Sequence, residues 1–276
     1  MAPRKRKASA EVAQPRSGSI QSLARAFDLL ERLADAGGEA GLSELATACD
    51  LPLATTHRLT QTLASLGYLR RGASRRYVLG PRLIRLGQAA SQLLGQWTQP
   101  VLAELVELTG ETANMAILDG DGIVYVAQAP SRHSMRMFTE VGRRVSAHST
   151  GVGKAILSQL PEPRVAQLLG RAGMPAMTAT TITSLDRFLE ELALTRRRGY
   201  AVDNGEQEVG VSCIAVPVAG APTPAAISVS GPEGRVSPLL QTATLNALRR
   251  SAGRLSAVLG ELTRQAHQDR RDARPT

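Results

Sequence analysis

Aromatic residues are scarce: three Phe, four Tyr and one Trp make up 3% of 276 residues. So thin a supply argues against a single-strand nucleic-acid binder, which stacks successive bases on aromatic platforms. Cysteine is scarcer still. Cys49 and Cys213 stand far apart without metal-ligand spacing, which excludes a disulfide framework and a zinc site. His133 and His267 show no metal spacing either and are expected at the surface. No stretch approaches the ~20 apolar residues of a membrane span, and no apolar run follows the basic N-terminus as it would in a signal peptide. These absences predict a cytoplasmic protein with no membrane segment, metal or cofactor.

What is present suits two domains of unequal size, since the hydrophobic share of 43% supplies real cores. The net charge of +9 is unevenly spread. Residues 1–95 carry 14 Lys and Arg against 7 Asp and Glu, whereas residues 96–276 carry 19 against 17. A basic first third is what a phosphate-facing segment needs. Part of it is the run Arg4-Lys5-Arg6-Lys7, in an Ala-, Pro- and Ser-rich stretch, 1–18, that reads as a disordered arm.

From Ile20 the pattern is helical: Ile20, Leu23, Phe27, Leu30 and Leu33 recur at three- and four-residue steps, and Gly37-Gly38 stops the run. A short second helix is expected from Ser43 as N-cap, then a turn at Asp50-Leu51-Pro52. A third helix follows to Ser65, with Leu59 and Leu63 inward. Tyr68–Arg71 and Arg75–Gly80 predict a β-hairpin with basic residues at its tip. Pro81 opens a connector helix toward Trp97; its apolar face suits a partner subunit and its own domain equally. Beyond Pro100, helices alternate with strands. A helix at 100–109 precedes strands at 112–118 and 123–128 and a short one near 135–138. A helix then opens at 149–154 and others cover 162–170 and 184–198. Strands at 200–203, 212–217 and 225–230 precede a closing helix from Pro238 to Arg264. The expected fold is α+β: a winged helix-turn-helix over 19–80, a linker helix over 81–97, a sensor domain over 98–264 and a loose tail from 265.

Two short helices about a tight turn let the second enter a major groove while the first braces on the backbone. Its outward residues are expected to include Thr55, Thr56, His57, Arg58, Gln61 and Thr62. Arg forks to guanine, Gln to adenine, and Thr reaches phosphate or the thymine methyl. Arg70, Arg71, Arg75 and Arg76 on the hairpin suit phosphate contacts, which add affinity without sequence information. The partner implied is double-stranded DNA.

Five runs carry a resemblance. Ser22–Leu30 and Leu51–Leu59 look like the first helix and recognition helix of the IclR family of bacterial transcription factors. Arg198–Asp203 with Val209–Ala215, and Ala225–Pro232, look like that family's C-terminal signature and last core strand. The likeness runs from Ile20 to Glu261. Glu111–Ile117, Ser134–Met137 and His148–Ala155 further resemble the family's allantoin-utilisation branch of glyoxylate-responsive repressors. The resemblance implies a GAF-like effector domain, a homodimer or homotetramer, and repression relieved by a small carboxylate, glyoxylate or allantoate.

Carried over by residue, the effector would meet the backbone of Gly151 and Val152 and the side chains of Asp203, Cys213, Ser228 and Ser230. Backbone N–H groups where a glycine segment enters a helix favour a carboxylate. Ser228 and Ser230, two apart on a strand, face the same way. Asp203 is unexpected beside an anion; it accepts from a ligand hydroxyl or is neutralised locally. Met115 and Met137 are expected in a dry wall. Other readings fare worse. Gly151-Val152-Gly153-Lys154-Ala155 is not a nucleotide-binding loop, because its first Gly would fall at His148 and Ala155 replaces the hydroxyl that holds magnesium. Cys213 with His148 and Asp203 lacks the setting of a catalytic thiol, so no catalytic residue is assigned. Within the regulator class, an activator or a sensor of an aromatic acid stays open; outside it, a GAF-like thiol enzyme or redox sensor.

Overall fold

A computed structural model describes residues 20–72, 74–95, 97–137, 140–240 and 242–272. The expected arm 1–18 and the last four residues of the expected tail lie outside them. The chain divides into two compact units at Gln92/Leu93.

The first unit holds α1 (Gln21–Asp35), β1 (Glu39–Ala40), α2 (Leu42–Ala48), α3 (Leu53–Ser65), β2 (Leu69–Arg71) and β3 (Tyr77–Leu79); α4 (Arg82–Gly95) follows. Its core gathers Leu29, Leu30 and Leu33 of α1 with Leu45, Leu63, Leu69 and Tyr77. The inner stripe of α1 is therefore rotated from the expected one. Ile20, Leu23 and Phe27 are 69%, 54% and 58% exposed, because Ala26 and Leu29 take the face toward α2 and α3. The N-cap of α2 is Gly41, not Ser43; Glu44 reaches back to accept from the Gly41 N–H at 2.9 Å. Asp50, in the left-handed region at φ 50°, turns the chain into α3, a conformation Asp tolerates better than most residues.

β2 and β3 form the hairpin, and β1, too short to read from the sequence, adds to β3 in the order β1-β3-β2. The hairpin closes on itself tightly. Gly80 N donates to Tyr68 O at 2.7 Å, and a Cβ at Gly80 would lie 2.2 Å from Gly67 O.

The second unit holds α5 (Thr98–Thr109), β4 (Thr112–Asp119), β5 (Gly122–Ala129), β6 (Arg144–Val145), α6 (Gly151–Leu157), α7 (Glu162–Ala172) and α8 (Leu185–Arg198). It continues with β7 (Ala201–Asn204), β8 (Val211–Val218), β9 (Ala225–Pro232), α9 (Glu233–Val236), a 3₁₀ turn (Ser237–Leu239) and α10 (Thr242–Asp272). The strands form one antiparallel sheet, β6-β5-β4-β9-β8-β7.

Because side chains alternate along a strand, each face has its own core. Ala113, Met115, Ile214, Val216, Ile227 and Val229 pack against α5 and α10. Ala116, Tyr125, Cys213, Ala215 and Ala226 pack against α6, with Phe188 and Leu192 of α8 behind. Three expectations are corrected. Residues 135–137 form no strand; the edge strand is β6, and 131–137 is held instead by side-chain bonds described below. Met115 lies on the α5/α10 face, away from any site on the α6 side. α10 passes Arg264 and runs to Asp272, since residues 265–272 contain neither Gly nor Pro to stop it.

Gly80→Ala should cost about 1–3 kcal/mol through the backbone clash, read by urea unfolding. Gly87→Ala, with open space around its Cβ position in α4, should instead gain about 0.5–1 kcal/mol.

Candidate functional site

In the first unit, α3 presents His57, Arg58, Gln61 and Thr62 to solvent, with Thr55 at the margin. Thr56 is corrected: it is fully buried with Thr60 and Leu63, four and seven residues on, and its Oγ1 donates to Pro52 O at 3.2 Å. A β-branched hydroxyl residue lies inward without cost when its own backbone satisfies it. Leu59, expected inward, is only half-buried. Thr62 bonds back to Arg58 O at 3.0 Å, while the Arg58 side chain stands exposed.

On the hairpin, Arg70, Arg71 and Arg75 are exposed, Arg71 near the Tyr77 ring at 5.8 Å. Arg75 occupies the tip with φ 59°. Arg76 differs from these three. It forks to Glu44 at 3.2 and 2.6 Å and approaches Glu39 at 3.5 Å, so it fastens the hairpin to α2 rather than offering a free cation. The Gly41 N–H, then Arg76, hold the Glu44 carboxyl below the usual carboxylate range.

In the second unit the sheet register assembles the expected effector residues. Asp203 faces Cys213, Cys213 faces Ser230, and Ser230 faces Thr112, giving one lateral row across β7, β8, β9 and β4. Ser228 lies one step along β9 on the same face, opposite Asn114. Above the row sits the start of α6, capped by Thr150, whose Oγ1 accepts from Gly153 N at 3.2 Å. The first bond of the helix ladder is Lys154 N to Thr150 O, so the Gly151 and Val152 N–H groups precede it, as first-turn donors do.

Glycine is required here by contact. A Cβ at Gly151 would fall 2.8 Å from Cys213 Sγ, and one at Gly153 would fall 2.1 Å from Ala147 O. The motif that superficially suits a nucleotide is a packing device, and its lysine turns inward. Lys154, buried, bonds Val202 O at 2.9 Å and pairs with Glu206.

A small, partly open cavity of about 20 Å³ lies between α6 and the sheet, lined by Gly151, Asp203, Cys213 and Ser230, with Tyr125, Met137, Gln207 and others. Val152 and Ser228, expected at the effector, are fully buried and do not line it. Tyr125 and Gln207 went unread in the sequence. Tyr125 gave no signal beyond one aromatic in a strand; Gln207 sits in a loop whose position depends on Ser149, which donates to its Oε1 at 2.5 Å. Met137 reaches the cleft because 131–137 is pinned. Thr112 Oγ1 donates to Met137 O at 3.3 Å, and Arg235, forked to buried Glu111, also donates to Met135 O at 2.7 Å.

Burial pushes the Asp203 carboxyl up to about 7, helped by the nearby Glu206 charge and opposed by the Glu206 and Gln207 N–H groups and by Lys154. Near neutral pH it is thus part protonated and able to donate to an anion, which resolves its unexpected place. Burial also pushes the Cys213 thiol up to about 11, with Asp203 adding to the rise, while the Ser230 and Ser228 hydroxyls beside it pull back. A protonated thiol is a weak donor, not a nucleophile. His148 is held below its ordinary value by burial and bonds Pro175 O at 3.0 Å, away from any charge relay.

A helix-turn-helix with a basic hairpin, joined to a domain enclosing a small polar cleft, defines a ligand-sensing transcription regulator. Comparison with known proteins narrows this. Residues 22–73 match the IclR helix-turn-helix domain, and residues 88–257 match the bacterial transcriptional regulator IclR C-terminal domain. The chain belongs to the IclR family of DNA-binding transcriptional regulators, whose members regulate transcription rather than catalyse reactions.

It is 38% identical to the transcriptional repressor IclR of Escherichia coli K12, over 81% of this chain and 84% of that protein. The acetate operon repressor of Salmonella typhimurium is 37% identical over 86% and 88%. The repressor AllR of Escherichia coli K12 is 30% identical over 87% and 90%, below both. Among solved structures, a transcriptional regulator from Rhodococcus sp. RHA1 superposes with a TM-score of 0.74 at 31% identity, over 88% of this chain and all of that one. Among the described residues no helix is long and apolar enough to cross a membrane.

The Asp203 shift has a defined sign. Between about pH 4 and 7 the folded chain keeps a proton that the unfolded chain has lost, so stability falls as pH rises through that window. Asp203→Asn should therefore gain stability relative to the parent on going from pH 5 to pH 8, read as the difference between urea midpoints; an unchanged difference would contradict the shift.

Proposed function

We propose that this chain is a cytoplasmic repressor whose operator binding is released by a small carboxylate, with glyoxylate or allantoate as the effector. The observation that supports this reading best is the row Asp203–Cys213–Ser230 under Gly151. It is a buried set of donors with a part-protonated carboxyl, closed by Tyr125 and Met137. Such a cleft suits a short acid carrying further oxygens, not an extended apolar ligand. The segments resembling the allantoin-utilisation branch direct the choice to glyoxylate.

On the DNA side, Thr55, His57, Arg58, Gln61 and Thr62 read bases and Arg70, Arg71 and Arg75 hold phosphates. The basic arm at 1–18 adds minor-groove or phosphate contacts. The working form is a homodimer or homotetramer. Ile20, Leu23 and Phe27 form an exposed apolar stripe on α1, and Ile84 and Leu86 of α4 are exposed as well, apolar surface that a partner copy would cover. Two copies place two reading helices on half-sites about one helical turn, or a multiple, apart. The effector acts by changing that placement, a coupling of the order of 1–3 kcal/mol between the sites.

The test is fluorescence anisotropy with the DNA upstream of the protein's own gene. The full chain should bind specifically at modest salt, with affinity falling steeply as salt rises, and millimolar glyoxylate should weaken it. Arg58→Ala should cost about 1–3 kcal/mol on the specific site and little on random DNA. Equal affinity for specific and random DNA would overturn the reading.

A further inference from the structure

The effector row is continued inward by a second one, of which the family resemblance assigns Ser228 but not Asn114. Tyr125 on β5 and Ser230 on β9 both line the cleft, and they stand on the two strands that flank β4. In register, Tyr125 faces Ala116 and Ser230 faces Thr112. The β4 residue midway between these, on the same face, is Asn114, and its partner across β9 is Ser228. Both side chains are fully buried. Asn114 Nδ2 and Ser228 Oγ make no geometric hydrogen bond among the described residues, the Ser228 hydroxyl having the weakly polar Cys213 thiol beside it.

Two orphan polar groups on adjacent strands are costly unless something meets them. On its other side, across β5, Asn114 faces Gln128. Gln128 Nε2 donates to Asn114 Oδ1 at 3.1 Å, which occupies the acceptor end of the amide and leaves its NH₂ as the free end. The next step along both strands is Ala116 facing Ala226, so the polar floor stops after this row and an apolar one begins.

We propose that Asn114, aided by Ser228, is a specificity-determining donor that reads a second, uncharged acceptor oxygen of the effector. It thereby separates short 2-oxo acids, as the free carbonyl or its hydrate, from plain carboxylic acids of the same length. This deepens the effector reading given above and rests on it. The Asp203 row takes the acid end, Asn114 takes the adjacent oxygen, and Ala116, Ala226 and the Tyr125 ring limit the remaining length. A neutral amide donor, unlike an arginine or lysine, gives no advantage to a second carboxylate, so dicarboxylates are not the favoured class.

The experiment is calorimetric titration of the full chain with two matched pairs, glyoxylate against acetate and pyruvate against propionate. The parent should prefer the oxo acid of at least one pair by about tenfold or more, the size of one well-made hydrogen bond. Asn114→Leu should bring that ratio close to one while leaving the plain acid's affinity in place. Asn114→Asp, which keeps the size but replaces the donor by an acceptor, should also lose it. Circular dichroism identifies a variant that does not fold, and Ser228→Ala then serves, with a smaller loss of the same ratio expected. A ratio that persists in the folded variants overturns the proposal and assigns the two orphan groups to buried water. A parent that binds both members of each pair equally overturns it while leaving the effector reading intact. A parent that binds none of the four acids removes the glyoxylate reading and this inference with it.

Discussion

The sensing half of this molecule depends on one close approach, that of α6 to β8 at Gly151 and Cys213. No side chain fits between them: a single added carbon at Gly151 would overlap the Cys213 sulfur. Given that contact, several other features follow. The first turn of α6 lies over the sheet beside the Asp203–Cys213–Ser230 row. Lys154, one turn on, points into the protein and pairs with Glu206, whose own N–H and that of Gln207 bond Asp203 Oδ1 at 2.7 and 3.4 Å. The carboxyl is thus fixed by the helix that forms the opposite wall. Buried ion pairs of this kind contribute less to stability than to holding one arrangement, because desolvation offsets most of their attraction.

The two units differ in how much of them sequence alone reveals. In the first unit the helix-turn-helix, the hairpin and most of the exposed polar face of α3 were legible, because helix period, turn chemistry and charge are local signals. Its errors come from tertiary packing. Thr56 looks like a surface residue until its hydroxyl is seen to bond back to Pro52. Phe27 looks like core until Leu29 is seen to take that face. Arg76 reads as a phosphate contact by charge alone, and only the fold brings Glu44 and Glu39 to it.

In the second unit the strands of the sheet's centre were legible, but the site was not. Asp203, Cys213 and Ser230 are separated in the chain and become neighbours only through antiparallel register, which no local pattern specifies. Family likeness supplied those names, and register explains why they belong together. Asn114, Tyr125 and Gln207 had neither signal. Asn114 is one polar residue in an apolar strand, and its meaning appears only when Gln128 and Ser228 are found on either side of it. The strand expected near 135–138 rests on a short alternation of apolar and polar residues, yet 131–137 is held by Thr112, Ser131 and Arg235 instead of a ladder.

The proposed division of labour, a DNA-reading unit governed by a separate acid-binding cleft, is tested most directly at the Gly151–Cys213 approach. Gly151→Ala should push α6 off the sheet and fill the cleft without touching the reading helix. In anisotropy titrations with the upstream DNA, made with and without glyoxylate and pyruvate, parent and variant should bind DNA with equal affinity. Only the parent should then be weakened by acid. If neither acid changes the parent's DNA affinity, or if Gly151→Ala responds as fully as the parent, the account is contradicted.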